Sequence, residues 1–356
     1  MKGLEFPIIG TKTKGLSRRF DLNSPGGRKS YFQAKAGDEI SHLQNYLKSN
    51  TFVAFLLGKK NSGKGTYSKL FTEIFGDGKV AHISVGDVIR DADANWDKIA
   101  KSNKINKLRS YYRGFMSFDD AVDALKGRST DKLLPTEFVL AIMKLYIEDY
   151  EGKTLFIDGL PRELDQVGYS LYFRDLINYR SDPDVFILID IPESVISERI
   201  KYRVICPKCQ TSRNLKLLVT SKIGYDQKEK EFFLKCDNPA CGEARMIKKE
   251  GDELGIEPIR PRLEKDEDIL KKAFSLHGVP KVLLRNHVPL SEAGKFFDDY
   301  ELTHEFVLKH TPKTGAIVVT EKPWSVLDDN AVESRSLMAP AVMVSMLKQL
   351  ADILKP

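Results

Sequence analysis

Five short runs of apolar, β-branched residues punctuate the chain: Phe52–Leu57, Val80–Ser84, Thr154–Asp158, Val185–Asp190 and Ala316–Thr320. Each is apolar at consecutive rather than alternate positions. That is the pattern of a strand covered on both faces, as in a parallel sheet. Helical periodicity separates most of the runs. Leu70, Phe71 and Ile74 form a stripe over Tyr67–Phe75, and Phe138, Ile142, Leu145 and Tyr146 recur near every 3.6 residues between Pro135 and Gly152. Strands alternating with helices predict an α/β, doubly wound core of about five parallel strands, with its ligand at their carboxyl ends.

Two stretches break the alternation. Residues 91–133 are rich in Lys, Arg, Asn and Tyr and separate the second and third runs; residues 202–255 follow the fourth run and its helix. Both are too long for plain loops, so each is expected to be a small inserted subdomain. The core is then residues 51–90, 134–201 and 256–356, with 321–356 as a C-terminal extension. Residues 1–50 are polar and rich in Gly and Lys, and Ile40, Leu43 and Leu47 suggest one short amphipathic helix there.

The chemistry begins directly after the first strand, at Gly58-Lys59-Lys60-Asn61-Ser62-Gly63-Lys64-Gly65-Thr66. A strand, a glycine-rich turn and a helix in that order aim successive backbone N–H groups and a helix N-terminus at one point. Such a place binds anions. Lys64 supplies a mobile cation for the outer phosphates, and the Thr66 hydroxyl can reach a bound Mg²⁺. The strict phosphate-loop pattern has Ser or Thr straight after the lysine, whereas Gly65 intervenes here.

All four cysteines fall in the second insertion, as Cys206-Pro-Lys-Cys209 and Cys236-Asp-Asn-Pro-Ala-Cys241. Two turns that each supply two thiolates predict a closed tetrahedral site for structural Zn²⁺, with iron or a redox pair as the alternatives. The metal would hold together a lid too small to build its own core. Clustered cysteines and an N-terminus without the apolar stretch of a secretory signal point to a reducing, cytoplasmic setting.

Composition adds limits. Hydrophobic residues are 42% and charged residues 30% of the chain, ordinary for a globular protein, and no apolar run approaches a membrane span. The net charge of +6 suits anionic ligands and is too small to argue for nucleic acid. No membrane or nucleic-acid partner is expected, and a monomer is favoured.

Three further segments sharpen the reading: His82-Ile-Ser84-Val85-Gly-Asp87-Val-Ile-Arg90, Phe156-Ile-Asp158-Gly159-Leu-Pro-Arg162 with Gln166, and Ser197-Glu-Arg199-Ile-Lys-Tyr-Arg203. With the glycine-rich loop, in this order and at these spacings, the chain resembles the adenylate kinase family, most closely its branch with a zinc-carrying lid. The resemblance covers roughly residues 51–275. It implies phosphoryl transfer from Mg·ATP to AMP, giving two ADP. Such chemistry rests on positioning and charge neutralisation, so the site needs many cations and little acid–base work.

By that resemblance Gly58, Asn61, Ser62, Gly63, Lys64, Gly65, Thr66 and Arg199 hold ATP. Ser84, Val85, Arg90, Gly159, Arg162 and Gln166 hold AMP, with Gln166 reading the adenine edge. Arg203 and Arg262 would reach the transferred group, Asp87 would steady the acceptor-side turn, and Asp158 would orient Mg²⁺ through water. Asp158 is also placed to cap a following helix. Arg199 and Arg203, four residues apart, are expected on one face of a single helix.

The chain also departs from the family pattern. Val85 replaces a threonine, Asn61 a loop glycine and Lys265 a common acid, while Ala273 stands where a second arginine is usual. These departures leave two alternatives: a kinase with UMP or CMP as acceptor, or a nucleotide-binding protein of low turnover with a partner-binding role.

Overall fold

The computed structural model describes residues 3–16, 18–127, 134–160, 182–249 and 251–355. Its centre is a five-stranded, all-parallel sheet in the order β10-β4-β1-β3-β2. The strands are β1 Val53–Gly58, β2 Val80–Ser84, β3 Thr154–Asp158, β4 Asp184–Asp190 and β10 Lys281–Arg285. The chain leaves β1 for β2 and β3 on one side and returns to build β4 and β10 on the other. The carboxyl end of β1 therefore lies where the strand order reverses, the place such sheets put their ligands.

Continuous apolarity in β1 is explained by two cores, one on each face. Ala54 and Leu56 point into one, with Phe156, Val185, Ile187 and Ile189. Val53, Phe55 and Leu57 point into the other, with Leu155, Ile157, Phe186 and Leu188. The first face is covered by α1 Pro25–Tyr46, α2 Lys64–Phe75 and α11 Ala339–Ile353. The second is covered by α3 Val85–Ala94, α7 Thr136–Ile147 and α9 Arg260–Ser275. Between α3 and α7 the described residues form three short helices, α4 Trp96–Ala100, α5 Lys104–Tyr111 and α6 Phe118–Lys126. Their Trp96, Leu108 and Leu125 join the second core.

One sequence expectation is corrected and another is extended. The fifth parallel strand is β10, not Ala316–Thr320. That run lies in β13 Ala316–Pro323, which pairs antiparallel with β12 His304–Thr311 outside the main sheet. Val318 and Val319 are 49% and 45% exposed, so their apolarity does not report burial. The short helix expected around Ile40 is present as the second part of α1, which kinks at Ala36 (φ −151°). The part before the kink, not expected from the sequence, is capped by the Ser24 hydroxyl, which accepts the Gly27 N–H. Its two early glycines hide it from propensity arguments. Gly27 is needed because a Cβ there would collide with the Asp21 carbonyl oxygen.

The terminal segments share one job. Tyr31, Phe32 and Leu43 of α1 pack in the same core as Val342, Met346 and Leu350 of α11. Each segment thus buries the apolar face that the other would leave open. Between β10 and α11 lie β11 His287–Pro289, α10 Leu290–Phe296, the β12–β13 hairpin, β14 Val326–Leu327 and β15 Glu333–Ser336.

Candidate active site

The turn after β1 is shaped by two residues in the left-handed region, Asn61 at φ 66° and Gly63 at φ 101°. Gly63 meets that demand without a Cβ penalty; Asn61 meets it as one of the few side chains that tolerate it. Lys64 opens α2 and folds back, donating to the carbonyl of Gly58 at 2.8 Å, and its ammonium lies 3.8 Å from Asp158. Gly58 approaches the Ser62 hydroxyl so closely that a Cβ would sit 2.6 Å from it. Among the described residues, the buried Ser62 Oγ and Asn61 Nδ2 have no hydrogen-bond partner. Buried polar atoms are normally paired, so these two groups fit a polar ligand at the loop. Thr66 is exposed on the first turn of α2.

Cations converge on this loop from other elements. Helix α8 Glu193–Lys201 carries Arg199, which reaches the Asn61 carbonyl at 3.4 Å and the Asn286 side-chain oxygen at 3.2 Å. Arg203 donates to Asn61 Oδ1 at 2.8 Å and grips Asp252 with two bonds of 2.5 Å. The single helical face expected for the two arginines is not what forms. Helix α8 ends at Lys201, and Arg203 belongs to β5 Arg203–Ile205. They meet at Asn61 because the loop lies across both elements. Arg262 pairs with Asp266 one turn along α9 at 2.8 Å, and the other oxygen of Asp266 accepts the Lys60 N–H at 2.8 Å. Burial raises the Asp266 pKa, against the pull of Arg262.

The far side of the sheet edge is more open. Ser84 and Asp158 are register partners at the ends of β2 and β3, and Gly159 follows at φ 96°. Arg90 pairs with Asp87 on α3, and both side chains are at least 70% exposed. Val85 is 1% exposed in the second core, so its side chain faces apolar neighbours. Ala273 is likewise 1% exposed, on the stripe of α9 that packs against the sheet. Arg162 and Gln166 lie outside the described residues.

Comparison with known proteins supplies the class. The adenylate kinases of Thermotoga petrophila and Thermotoga maritima are each 30% identical to this chain over 220 residues, covering 60% of it and 81% of the relative. That of Kosmotoga olearia is 29% identical over 226 residues, covering 63% of this chain and 86% of the relative. The chain belongs to the adenylate kinase family. With that it falls among the nucleoside monophosphate kinases. No general family model matches the sequence. These alignments cover less than two thirds of this chain.

In this adenylate kinase family member, residues 203–248 are organised around the four cysteines. β5 pairs with β6 Ser212–Asn214 and β9 Ile247–Lys248, and β7 Ile223–Asp226 pairs with β8 Glu231–Leu234. The four sulfurs of Cys206, Cys209, Cys236 and Cys241 all lie within 4.8 Å of one another, and none is in a disulfide. Zn–S bonds of ~2.3 Å put the sulfurs of a tetrahedral site about 3.8 Å apart. Cys209 and Cys236, at 3.6 Å, are close to that spacing. Three of the four are buried with Val204, Leu234 and Met246, so the cluster is the core of this segment. The same segment also touches the β12–β13 hairpin. The Phe306 N–H donates to the Lys216 carbonyl at 2.7 Å, and the Tyr225 and His310 rings stack at 4.1 Å.

Several participants were not singled out from the sequence: Lys59, Asp252, Asp266, Asn286 and Asp329. Only Asp266, four residues after Arg262, carried a local signal, the spacing of a helical ion pair. The others act across long sequence separations.

Proposed function

We propose that this chain transfers the terminal phosphoryl group of Mg·ATP directly to AMP, giving two ADP. The convergence of Arg199 and Arg203 on Asn61, beside the backfolded Lys64, carries this reading. Several cations at one phosphate loop suit a reaction whose barrier is lowered by charge neutralisation and alignment. Lys64 would release the Gly58 carbonyl and follow the migrating charge. Arg203 would exchange Asp252 for a phosphate oxygen, and Arg262 would do the same with Asp266. Arg90, with Arg162, would hold the monophosphate, and Gln166 would read the base. The Thr66 hydroxyl and the Asp158 carboxylate are the residues that would hold Mg²⁺, which supplies charge neutralisation between the outer phosphates when bound.

In the same reading the four cysteines hold one structural Zn²⁺ and leave no open coordination position. Residues 91–133 act as the monophosphate-binding insertion and 202–255 as the lid. The unpaired thiols suit a reducing, cytoplasmic setting.

A coupled assay with ATP against AMP, CMP, UMP and GMP tests the reaction. The expected result is turnover with the highest kcat/KM for AMP. A preference for UMP or CMP would replace the acceptor, and no turnover with any would remove the enzyme reading. Elemental analysis should find about one zinc per chain; iron, or no metal at all, would overturn the zinc assignment.

A further inference from the structure

We propose that Asp329, on the loop between β14 and β15, is a positioning residue for the phosphate loop, acting through Lys59 and helix α8. The inference rests on the reading of that loop as the donor site, and it assigns a role to a segment far beyond the phosphate-loop motifs.

The loop that presents Asp329 is fixed by its neighbour. Asp328 Oδ1 accepts the N–H groups of Asn330 and Val332, both at 2.9 Å, and the Asp328 N–H donates to the Val332 carbonyl at 2.9 Å. Below, Asp328 Oδ2 lies 3.3 Å from His287 Nε2 and accepts the Ser334 hydroxyl at 3.4 Å. Asp329 is therefore held out from a stiff turn.

Its two oxygens meet two different elements. Oδ1 accepts the Glu193 N–H at 2.9 Å, at the start of α8, where the preceding Pro192 makes no side-chain cap. This is a helix cap delivered from elsewhere in the chain. Ser194 adds a bond from its hydroxyl to the Leu327 carbonyl at 2.7 Å. Oδ2 lies 3.2 Å from the ammonium of Lys59, the second residue of the phosphate loop and 1% exposed.

Lys59 also meets Glu193 at 3.2 Å and Glu267 at 2.8 Å. Those two glutamates pair outward with Arg260 at 3.5 Å and Lys271 at 2.9 Å. Three cations and three carboxylates thus alternate, and the buried ammonium is fully compensated. Burial opposes the charged form of Lys59, yet the Glu267 bond and the three carboxylates together hold its pKa above the ordinary value. Removing one carboxylate leaves a buried charge short of a partner, which is costly. The strain falls on the loop, whose amides must be aimed to within about half an ångström. Helix α8 carries Arg199, so one carboxylate sets the loop against the arginine that approaches it.

The test compares Asp329→Asn, Lys59→Met and the double variant with wild type. It measures Mg·ATP binding by calorimetry and KM for ATP and AMP separately. An asparagine oxygen can still cap α8, so a purely capping role leaves Asp329→Asn close to wild type. The proposal expects ATP binding weakened about five- to tenfold in each single variant, KM for AMP within twofold, and a double variant no worse than the weaker single. If Asp329→Asn does not fold, Lys59→Arg reads the same contact, with a smaller loss confined to ATP. An unchanged ATP constant, a parallel shift in ATP and AMP, or losses that multiply in the double variant would overturn it. A wild-type chain that did not bind Mg·ATP would overturn the donor-site reading as well, whereas normal wild-type binding with indifferent variants would overturn this inference alone.

Discussion

The two halves of the proposed site are built on different principles. On the donor side, Lys59 finds carboxylates 134 and 270 residues away, and Asn61 is met by arginines 138 and 142 residues away. On the acceptor side, the visible charged pair is Arg90 with Asp87, one helical turn apart and largely exposed. Among the described residues, the donor half is thus tied together by distant buried partners, while the Arg90–Asp87 pair is local and exposed, so it can rearrange at little cost. Exposed local pairs contribute at most about 1 kcal/mol, whereas removing one member of a buried pair costs several times more. Preorganisation has been spent where transferred charge must be stabilised.

The contrast can be broken in four ways, beginning with the largest effect. Lys64→Ala should lower kcat about 10³-fold with every acceptor, roughly 4 kcal/mol of barrier, in the coupled assay. A loss confined to one acceptor would mean that the lysine does not follow the migrating charge.

The second effect is one of pH. Burial depresses the pKa of His287, which lies beneath the Asp328 turn, to about 4. The unfolded chain takes up this proton near pH 6.5, the native chain only near 4, so acidification through that window favours unfolding. The contribution reaches at most roughly 3 kcal/mol and vanishes above pH 6.5. Denaturant titrations at pH 7 and 4.5 should show that loss, and His287→Asn should shrink it. An equal pH slope in the variant would remove His287 from the support of the donor half.

Arg90→Ala should raise KM for the monophosphate about tenfold, near 1.4 kcal/mol, with ATP affinity within twofold. Weakening of ATP by the same factor would show that the two halves are not separable. The smallest change is expected from Val85→Thr. With the side chain 1% exposed among apolar neighbours, a hydroxyl there should lower stability by roughly 1–2 kcal/mol and leave the order of acceptors unchanged. A sharper preference for AMP would instead place that hydroxyl beside the nucleoside.

Much was legible in the chain because it depends on near neighbours. Continuous apolar runs specified four of the five parallel strands, since a strand buried on both faces has no polar alternative. The glycine-rich turn specified the anion cradle through local backbone geometry, and paired cysteine turns specified where four sulfurs would gather. The edge strand Lys281–Arg285 was missed because its half-buried side admits Lys281 and Arg285 at its ends, while the exposed ribbon at Ala316–Pro323 imitated a core strand. The division of Arg199 and Arg203 between a helix and a strand depended on where α8 ends, at Lys201, which spacing does not encode.

The sequence by itself therefore determined four strands of the sheet, the phosphate loop and the cysteine cluster, each set by backbone conformation or by contacts within a few residues. Tertiary structure alone decided that the first and last helices share one core, that Lys59 is buried among three carboxylates, and that Asp329 reaches the loop. A lysine or an aspartate has the same local signature on a surface as in a buried cluster. What distinguishes the two is which distant charges the fold brings within about 3 Å, and only the packed chain carries that information.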